Sequence, residues 1–525
     1  MTLKTTPPNP MKRNRCFIFS ATLIALFSVS CKQKTENVNP FKQGYKNIVT
    51  PSSIINSEHK GISKSESIPN LFDENKNTKF LVTAPKNTIV ITNKEASVLK
   101  KYKITSADDA PGRDPKNWSI SGSLDGENWE VLDTKTDQTF AQRKETVSFD
   151  LEENTTAYSS YKITLEQTKT SVYGDNYLQI AEIEFLALTE QPIAEFLAVQ
   201  TRGEILDTIQ FNDISANAPD HWEWMFESGI PEVSTEQNPQ VVFKTPGNHA
   251  VTLMVKNKHG KDSLTLKRYI KVYDPENPWN GFHYPEIVFT STDTISEGYK
   301  RAITIIPDFK QAINEVTLGV CKQLYKNISE VPDFEKVNFT FNWSNTLAAR
   351  GGNSTVMDLW FSTKYIQNAL QNEPDDAVKY EIYGVLWHEL THGYQFSPKT
   401  ADNQYKPGYD YFAFLEGEAD LVRINAGYHK TRRPDLGVGE YKYLMGYTTT
   451  GFFLKWIVDT YDKDFIYKFN KSVQEITPWS YKKAFQTILN KDVDTLWNEY
   501  TVYVNEYIKN NPVVEKKKID WIHMN

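Results

Sequence analysis

The chain has 525 residues, more than one hydrophobic core can organise, so its length predicts about three or four domains. Charged residues make up 24% of the sequence and leave a net charge of −7, the balance of a soluble, mildly acidic chain. Basic runs are short, such as 516–518, and they read as solvated surface. The sequence therefore gives no sign of a nucleic-acid partner.

The N-terminal segment has the order of features of an export signal. Basic residues at 12–15 precede an apolar run from Phe17 to Phe27, and small residues then lead to Cys31. Because this run is too short to span a bilayer, residues 1–31 are predicted to be a cleaved signal peptide. The cysteine after small residues resembles a bacterial lipoprotein processing site. That resemblance implies a lipid anchor at Cys31 and a location in the cell envelope, at the outer membrane or cell surface; the alternative is plain secretion.

A polar segment follows the predicted signal. Residues 32–45 are rich in Lys, Asn and Gln, which predicts a tether between the membrane and the globular part. After cleavage only Cys31 and Cys321 remain, so no internal disulfide framework can hold the domains together. Cys321 lies on an apolar stripe with helical spacing and is predicted to be a buried core residue.

Residues 46–188 consist of short alternating runs separated by Gly, Asp and Asn turns, which predicts an all-β sandwich. Four stretches carry a family resemblance: 71–80, 113–118, 122–129 and 179–185. In these stretches the segment resembles the coagulation-factor type C, or discoidin-like, domain. The resemblance implies a jelly roll that binds glycans or membrane-surface ligands through loops at one end; we expect carbohydrate here.

Discoidin-like domains often hold a structural calcium ion. By this resemblance the expected oxygen donors are Asp73, Asn75, Thr78 and Glu182, a set that suits a hard cation. The alternative is that residues 73–78 form only a polar turn.

Residues 191–274 again alternate, with Val251, Leu253 and Val255 on one face of a strand. The stretches 222–226 and 246–253 resemble a PKD domain, an immunoglobulin-like β-sandwich. Where that family has a Gly-Asp-Gly turn this chain has Glu-Ser-Gly, so no family-specific ligand is expected. We interpret this segment as a spacer; protein or glycan binding is the alternative.

From residue 279 the sequence changes to mixed helix and strand. Residues 309–324 have helical apolar spacing, and 337–343 and 354–361 alternate as strands. Farther on, Pro374 and the acidic residues after it predict the start of a helix whose apolar stripe includes Ile382 and Leu386.

That helix carries two histidines four positions apart. His388 and His392 therefore face the same side, with Glu389 beside them, as in a zinc site. Two histidines do not complete such a site, because a catalytic zinc commonly takes a third protein ligand and a water. Glu416 is the candidate, since Glu416 and Asp420 are also four apart. The alternative is a pair of ordinary surface histidines.

Further motifs occur at 446–456 and 494–500. Taken with 385–395 and 416–423, they resemble the basic secretory protein family of zinc metallopeptidases, and the Glu-x-x-x-Asp spacing is similar to that of the thermolysin-like gluzincins. The resemblance implies an α+β, zincin-like domain over residues 279–525. In such a domain Glu416 is the third zinc ligand and Asp420 orients a zinc-bound histidine. One departure is that this chain is acidic, whereas the family name implies a basic protein.

The chemistry of such a site follows from its charges, and Tyr447 also matches a motif of the family. Glu389 acts as the general base toward a water whose pKa zinc lowers, and it later protonates the leaving amine. The oxyanion needs a second electrophile, for which Tyr447 is the first candidate and His429 the second. Glu418 points away from Glu416 and is expected to face solvent or to form a salt bridge. In zinc peptidases the strand before the metal helix often lies at the sheet edge, so we expect residues 354–361 there, open to an extended peptide.

Together these features predict a secreted, lipid-anchored zinc metalloendopeptidase that hydrolyses peptide bonds in protein or glycoprotein substrates and is targeted by a glycan-binding module. The alternative is a non-catalytic, glycan-binding surface protein whose peptidase-like domain is an inactive scaffold. The intact set of His388, Glu389, His392 and Glu416 favours the enzyme, because a scaffold has no physical need for all four.

Overall fold

The computed structural model describes residues 44–63, 66–167, 176–352, 355–401 and 404–511. The predicted signal peptide, Cys31 and all but the last two residues of the predicted tether lie outside this part of the chain. Among the helices that are described, none is both long enough and apolar enough to cross a membrane.

The first region is a β-sandwich with its own hydrophobic core. Its strands are β1 (Gly44–Asn47), β2 (Ile54–Ser57), β3 (Phe80–Val82), β4 (Lys86–Ser97), β5 (Leu99–Thr105), β6 (Asn117–Ser123), β7 (Glu130–Lys135), β8 (Thr146–Asp150), β9 (Tyr158–Glu166), β10 (Leu178–Ile180) and β11 (Glu182–Thr189). The sheets have the orders β1-β11-β5-β8 and β2-β4-β9-β6-β7, and β10 pairs with β3. Alternate residues such as Ile89, Ile91 and Ile104 fill the core, so the predicted all-β sandwich is confirmed.

The second region is a smaller β-sandwich. Its strands are β12 (Phe196–Ala198), β13 (Arg202–Glu204), β14 (Thr208–Asp213), β15 (His221–Phe226), β16 (Gly229–Ile230), β17 (Val233–Ser234), β18 (Gln240–Phe243), β19 (Gly247–Asn257) and β20 (Gly260–Tyr273). They form sheets of order β12-β14-β18-β16 and β13-β20-β19-β15-β17. Val251, Leu253 and Val255 are fully buried against Trp224, as their alternation predicts.

The third region combines one sheet with a set of helices. Its strands are β21 (Glu286–Ser291), β22 (Lys336–Asn342), β23 (Ala348–Gly352) and β24 (Val356–Ser362). Its helices are α1 (Glu297–Ile305), α2 (Phe309–Leu324), α3 (Thr363–Asn368), α4 (Asp375–Tyr394), α5 (Asp410–Asn425), α6 (Tyr447–Thr460), α7 (Phe465–Glu475), α8 (Tyr481–Leu489) and α9 (Val493–Asn510). Short 3-10 turns occur at Ile68–Leu71 and Pro111–Arg113 in the first region, and at Ile328–Glu330 and Lys442–Leu444 in the third. The predicted α+β character of this region is confirmed.

The sheet of the third region has the order β21-β22-β24-β23. The first three strands are parallel, and β23 is antiparallel to β24 and occupies the edge. The expectation that residues 354–361 form the edge is therefore wrong, because β23 covers them. The sequence of β23, Ala-Ala-Arg-Gly-Gly, lacks the β-branched and aromatic residues that signal a strand, which is why it was missed.

Helices α2 and α4 bring apolar faces to one large core. Cys321 is buried in α2, as predicted, and Ile382 and Leu386 of α4 are buried as well. The C-terminal end of α4 approaches β24 closely: a Cβ at Gly393 would overlap the side chain of Met357. Glycine at this position lets the metal-site helix lie directly on the sheet.

Polar contacts join the three regions. The Asn217 side chain donates to the carbonyls of Thr189 at 2.7 Å and Gln191 at 2.6 Å, and accepts from the Gly44 amide at 2.7 Å. At the other junction the buried Lys271 ammonium lies 2.9 Å from a carboxylate oxygen of Asp333. These contacts show that the middle region touches both of its neighbours.

Candidate metal centre

Three predicted ligands converge between helices α4 and α5. The His388 Nε2 atom lies 3.1 Å from Glu416 Oε2 and 3.0 Å from His392 Nε2, and the third edge, His392 Nε2 to Glu416 Oε2, is 3.5 Å. Ligands at normal zinc bond lengths in a tetrahedral site would be about 3.3–3.5 Å apart. The three atoms therefore fit a small tetrahedral cation, and they form a cluster that could hold a metal ion.

Each histidine is oriented through its other ring nitrogen. His388 Nδ1 lies 2.8 Å from Asp420 Oδ1, and His392 Nδ1 lies 3.1 Å from the amide oxygen of Gln395. Since a carboxylate and an amide oxygen can only accept, both Nδ1 atoms donate. The lone pairs of both Nε2 atoms are thereby left facing the cluster, which is the tautomer that a metal requires. Asp420 was predicted for this position; Gln395 was not.

The charges of the cluster also favour a cation. Burial lowers the pKa of His388, but Asp420 and Glu416 outweigh it and raise that pKa to about 10. Burial raises the pKa of Glu416, but His392 and His388 outweigh it and hold that pKa below its ordinary value. The buried carboxylates of the site therefore favour a positive charge beside them. A divalent ion supplies that charge without protonation of the histidines.

Glu389 lies beside the ligands on α4, half-buried between His388 and the core residue Leu390. Burial raises the pKa of Glu389, and the neighbouring histidines offset this only in part. A carboxylate with a raised pKa is a stronger base, which is the property that proton transfer from a water requires.

Tyr447 reaches the cluster from the start of α6. It follows Gly446, and both residues have positive φ, 79° and 44°. Such a backbone is unfavourable for a tyrosine and is typical of residues held in place at functional sites. The Tyr447 ring stacks on His388 with 5.9 Å between centroids. Burial and then Glu416 raise its pKa, so the hydroxyl stays a donor.

A second tyrosine, Tyr405, was not anticipated. Its hydroxyl donates to Glu416 Oε1, the carboxylate oxygen that does not face the histidines. Its ring packs edge-on against Phe412, at 5.1 Å between centroids. Tyr405 lies in an irregular segment and carries no motif, so only the folded structure brings it to the site.

His429, the second candidate electrophile, lies elsewhere. Its Nε2 atom is 3.5 Å from Asp420 Oδ1, the same oxygen that accepts from His388. Burial lowers the pKa of His429. The structure therefore places His429 beside Asp420, on the side of the site that supports His388, and not among the metal-facing atoms.

Glu418 corrects another expectation. Instead of facing solvent, its side chain is completely buried, and neither carboxylate oxygen has a hydrogen-bond partner among the described residues. The helical-wheel argument failed because α5 is buried on nearly all sides from Phe412 to Arg423. Burial raises the pKa of Glu418 well above its ordinary value.

Two regions of the chain match known protein families. Residues 285–500 match the family described as peptidase of plants and bacteria, BSP. Residues 189–272 match the PKD domain model. Both predicted family resemblances are confirmed, and the metal centre lies inside the peptidase-family region.

A curated relative and two solved structures are also similar to parts of the chain. The relative is a peptide-N(4)-(N-acetyl-beta-glucosaminyl)asparagine amidase of Arabidopsis thaliana, 35% identical over 83 residues, which are 16% of this chain and 10% of the amidase. This chain therefore spans about a tenth of that relative's length.

One solved structure is an F5/8 type C domain from Bacteroides fragilis, at 13% identity and a TM-score of 0.24, covering 28% of this chain and 97% of that one. The other is a family 32 CBM from Clostridium perfringens in complex with galactose, at 14% identity and a TM-score of 0.23, covering 27% and 99%.

Outside the peptidase-family region, the four residues predicted as calcium ligands lie close together, although the side-chain oxygen of Asn75 accepts hydrogen bonds from Asn77 instead of facing the two carboxylates. Asp73 accepts hydrogen bonds from the Asn75 amide at 2.9 Å and from the Thr78 hydroxyl at 3.0 and 2.9 Å. Glu182 Oε1 accepts from the same Asn75 amide at 3.1 Å. Burial and the nearby Asp73 raise the pKa of Glu182 to about 8. Two carboxylates meeting at one loop repel each other, which a bound cation would relieve.

The orphan carboxyl of Glu418 generates a stability prediction. Replacing it by methionine, which is also unbranched, should raise the free energy of unfolding by about 1–3 kcal/mol, because a buried polar group without a partner costs about that much. Denaturant unfolding of the metal-free protein measures the change. Glu475→Met, at an exposed position, is the control and should change stability by about 0.5 kcal/mol or less. A strong loss of stability in Glu418→Met would show that the carboxyl has a structural role.

Proposed function

We propose that the peptidase-family region is a zinc metalloendopeptidase that hydrolyses peptide bonds in proteins or glycoproteins. The observation that carries this proposal is the convergence of His388, His392 and Glu416 with both imidazoles held by their Nδ1 atoms. A purely structural histidine cluster gains nothing from two Nε2 lone pairs and a carboxylate directed at one point. A zinc ion gains three ligands and keeps a fourth position for water.

The residues around the cluster have separate tasks in this reaction. When bound, zinc supplies a Lewis acid and a water of lowered pKa. Glu389 accepts the proton of the water that attacks the peptide carbonyl carbon, and then delivers that proton to the leaving amine nitrogen. The Tyr447 hydroxyl donates a hydrogen bond to the oxyanion that forms. Tyr405 holds Glu416 Oε1, so that Oε2 stays directed at the metal position.

The sheet edge provides a place for the substrate. Among the described residues no strand pairs with the outer side of β23, so that side of its backbone can pair with an extended peptide. Helix α4 lies on this sheet through the contact of Gly393 with Met357. A peptide that adds to β23 therefore runs beside the helix that carries the metal ligands.

Replacing the proposed base tests the reaction directly. Glu389→Gln should lower kcat for casein or a peptide substrate by about 10²–10⁴-fold, the usual contribution of a positioned general base. Zinc content, measured by elemental analysis, should not change, because Glu389 is not a ligand. Bound zinc in the wild type without cleavage of any protein offered would favour the alternative of a non-catalytic surface protein.

Substitution of Tyr447 and substitution of Tyr405 should have different effects on catalysis and on zinc retention. Tyr447→Phe should lower kcat about 10²-fold with little change in KM, because the hydroxyl acts mainly on the transition state. Tyr405→Phe should instead weaken zinc retention about tenfold in a chelator competition, as the loss of a ligand's hydrogen-bond partner usually does. Equal effects of both substitutions on zinc retention would contradict the assigned roles.

We further propose that residues 46–188 bind carbohydrate and hold a calcium ion at Asp73, Asn75, Thr78 and Glu182. Supporting this are the discoidin-like stretches of the sequence and the meeting of two carboxylates at one loop. The whole protein should bind glycans on an array in the presence of calcium and lose binding in chelator. Glu182→Gln should lose the rise in melting temperature that calcium produces, whereas Glu184→Gln, which removes a surface ion pair with Lys103, should keep it. Absence of glycan binding with calcium present would remove the targeting role.

We also propose that the protein is exported to the cell envelope of a bacterium and anchored through lipid on Cys31. The order of basic residues, apolar run, small residues and cysteine in the sequence supports this proposal. Mass spectrometry of the mature protein should find an acylated Cys31 as the first residue; an unmodified mature chain would favour plain secretion.

A further inference from the structure

The edge strand β23 has an unusual side-chain pattern. It consists of two alanines, Arg350 and two glycines, so Arg350 is the one long side chain along the whole edge. On one face of the strand, Ala349 pairs with Trp360, and a Cβ on Gly351 would touch the Trp360 ring at 3.0 Å. On the other face Arg350 pairs with Leu359, which is buried in the core beneath the helices. Arg350 is therefore on the helix side of the sheet.

Arg350 lies toward residues that border the metal centre. Its guanidinium is within electrostatic range of Tyr411. The Tyr411 ring lies 6.4 Å from the ring of Tyr405, whose hydroxyl donates to Glu416. Arg350 thus lies on the side of the sheet that faces α4, the helix that carries both histidine ligands.

The charge of Arg350 is available to a substrate. Its side chain is exposed, although partial burial of the guanidinium lowers the pKa of Arg350; arginine nevertheless stays protonated. Asp358, the carboxylate that interacts with it, pairs with Gly351 on the opposite face and already accepts a hydrogen bond from Asn338 at 2.8 Å.

A peptide that adds to this edge presents its side chains alternately to the two faces. Those on the helix side face the side of the sheet on which α4 carries the metal ligands. Arg350 places an exposed positive charge on that side, while its small neighbours leave the added strand room to approach. We propose that Arg350 selects peptide substrates with an aspartate or glutamate at the position that lies beside it on the helix side of β23.

This inference rests on the proposed peptidase function and names a substrate class for it. Exposed ion pairs contribute little free energy, so the expected preference for an acidic residue over its amide is about fivefold in kcat/KM. The preference should shrink as ionic strength rises, because salt screens exposed charges.

Cleavage-site mapping by mass spectrometry on a digested protein mixture would test the inference. The wild-type enzyme should show Asp or Glu enriched at one fixed position near the scissile bond. A peptide pair that differs only by Glu or Gln at that position then gives the ratio of kcat/KM. Arg350→Gln should bring the ratio close to one, Arg350→Lys should retain most of it, and Arg350→Glu should favour a basic residue instead. Arg202→Gln, an exposed arginine of the PKD-like region, is the matched control and should leave the ratio unchanged.

The possible results distinguish the preference for acidic residues from the peptidase function itself. Cleavage with no acidic enrichment, or with an enrichment that Arg350→Glu leaves unchanged, would overturn the inference and leave the peptidase function intact. Failure to cleave any protein or peptide in the presence of zinc would contradict the proposed function and the inference together. Retained cleavage of the neutral peptide by Arg350→Gln shows that the variant is folded and that only selection has changed.

Discussion

The hydrogen bond from His388 Nδ1 to Asp420 is the interaction on which the site depends. Both side chains are buried, and the bond spans the contact between α4 and α5 at 2.8 Å. It sets the tautomer of His388 and fixes α4 against α5, which also carries Glu416. Loss of such a partner typically weakens metal binding about 10–100-fold, because the ring of His388 would no longer be fixed in the tautomer and orientation that a metal requires.

Most of α5 is buried together with this bond. The helix is buried from Phe412 to Arg423, so every polar residue on it must find a partner or go without. Asp420 and Glu416 have theirs in the histidines and in Tyr405, whereas Glu418 has none among the described residues. The same burial that strengthens the electrostatics of the metal centre therefore leaves one carboxyl as a cost to stability. The strained backbone at Tyr447 is a second cost at the same site.

The site residues that the sequence predicted are related by local spacing along a helix, whereas those it missed lie outside the helices. His388, His392, Glu416 and Asp420 are read from spacings of four along two helices, and such spacings fix which side chains share a face. Tyr405 and Gln395 make their contacts through chain folding around the helix ends, and no period in the sequence encodes them. The edge position of β23 was missed because its alanines and glycines resemble a loop. Glu418 was misplaced because a helical wheel gives direction but not what surrounds the helix.

X-ray absorption spectroscopy at the zinc edge, on purified protein loaded with one equivalent of zinc, tests the central claim most directly. The account predicts one tightly held ion with two imidazole nitrogens and a carboxylate oxygen at about 2.0–2.2 Å, and a changed spectrum in Glu416→Gln. The same spectrum in His388→Ala, in His392→Ala and in the wild type would contradict it, because the ion would then be bound somewhere else.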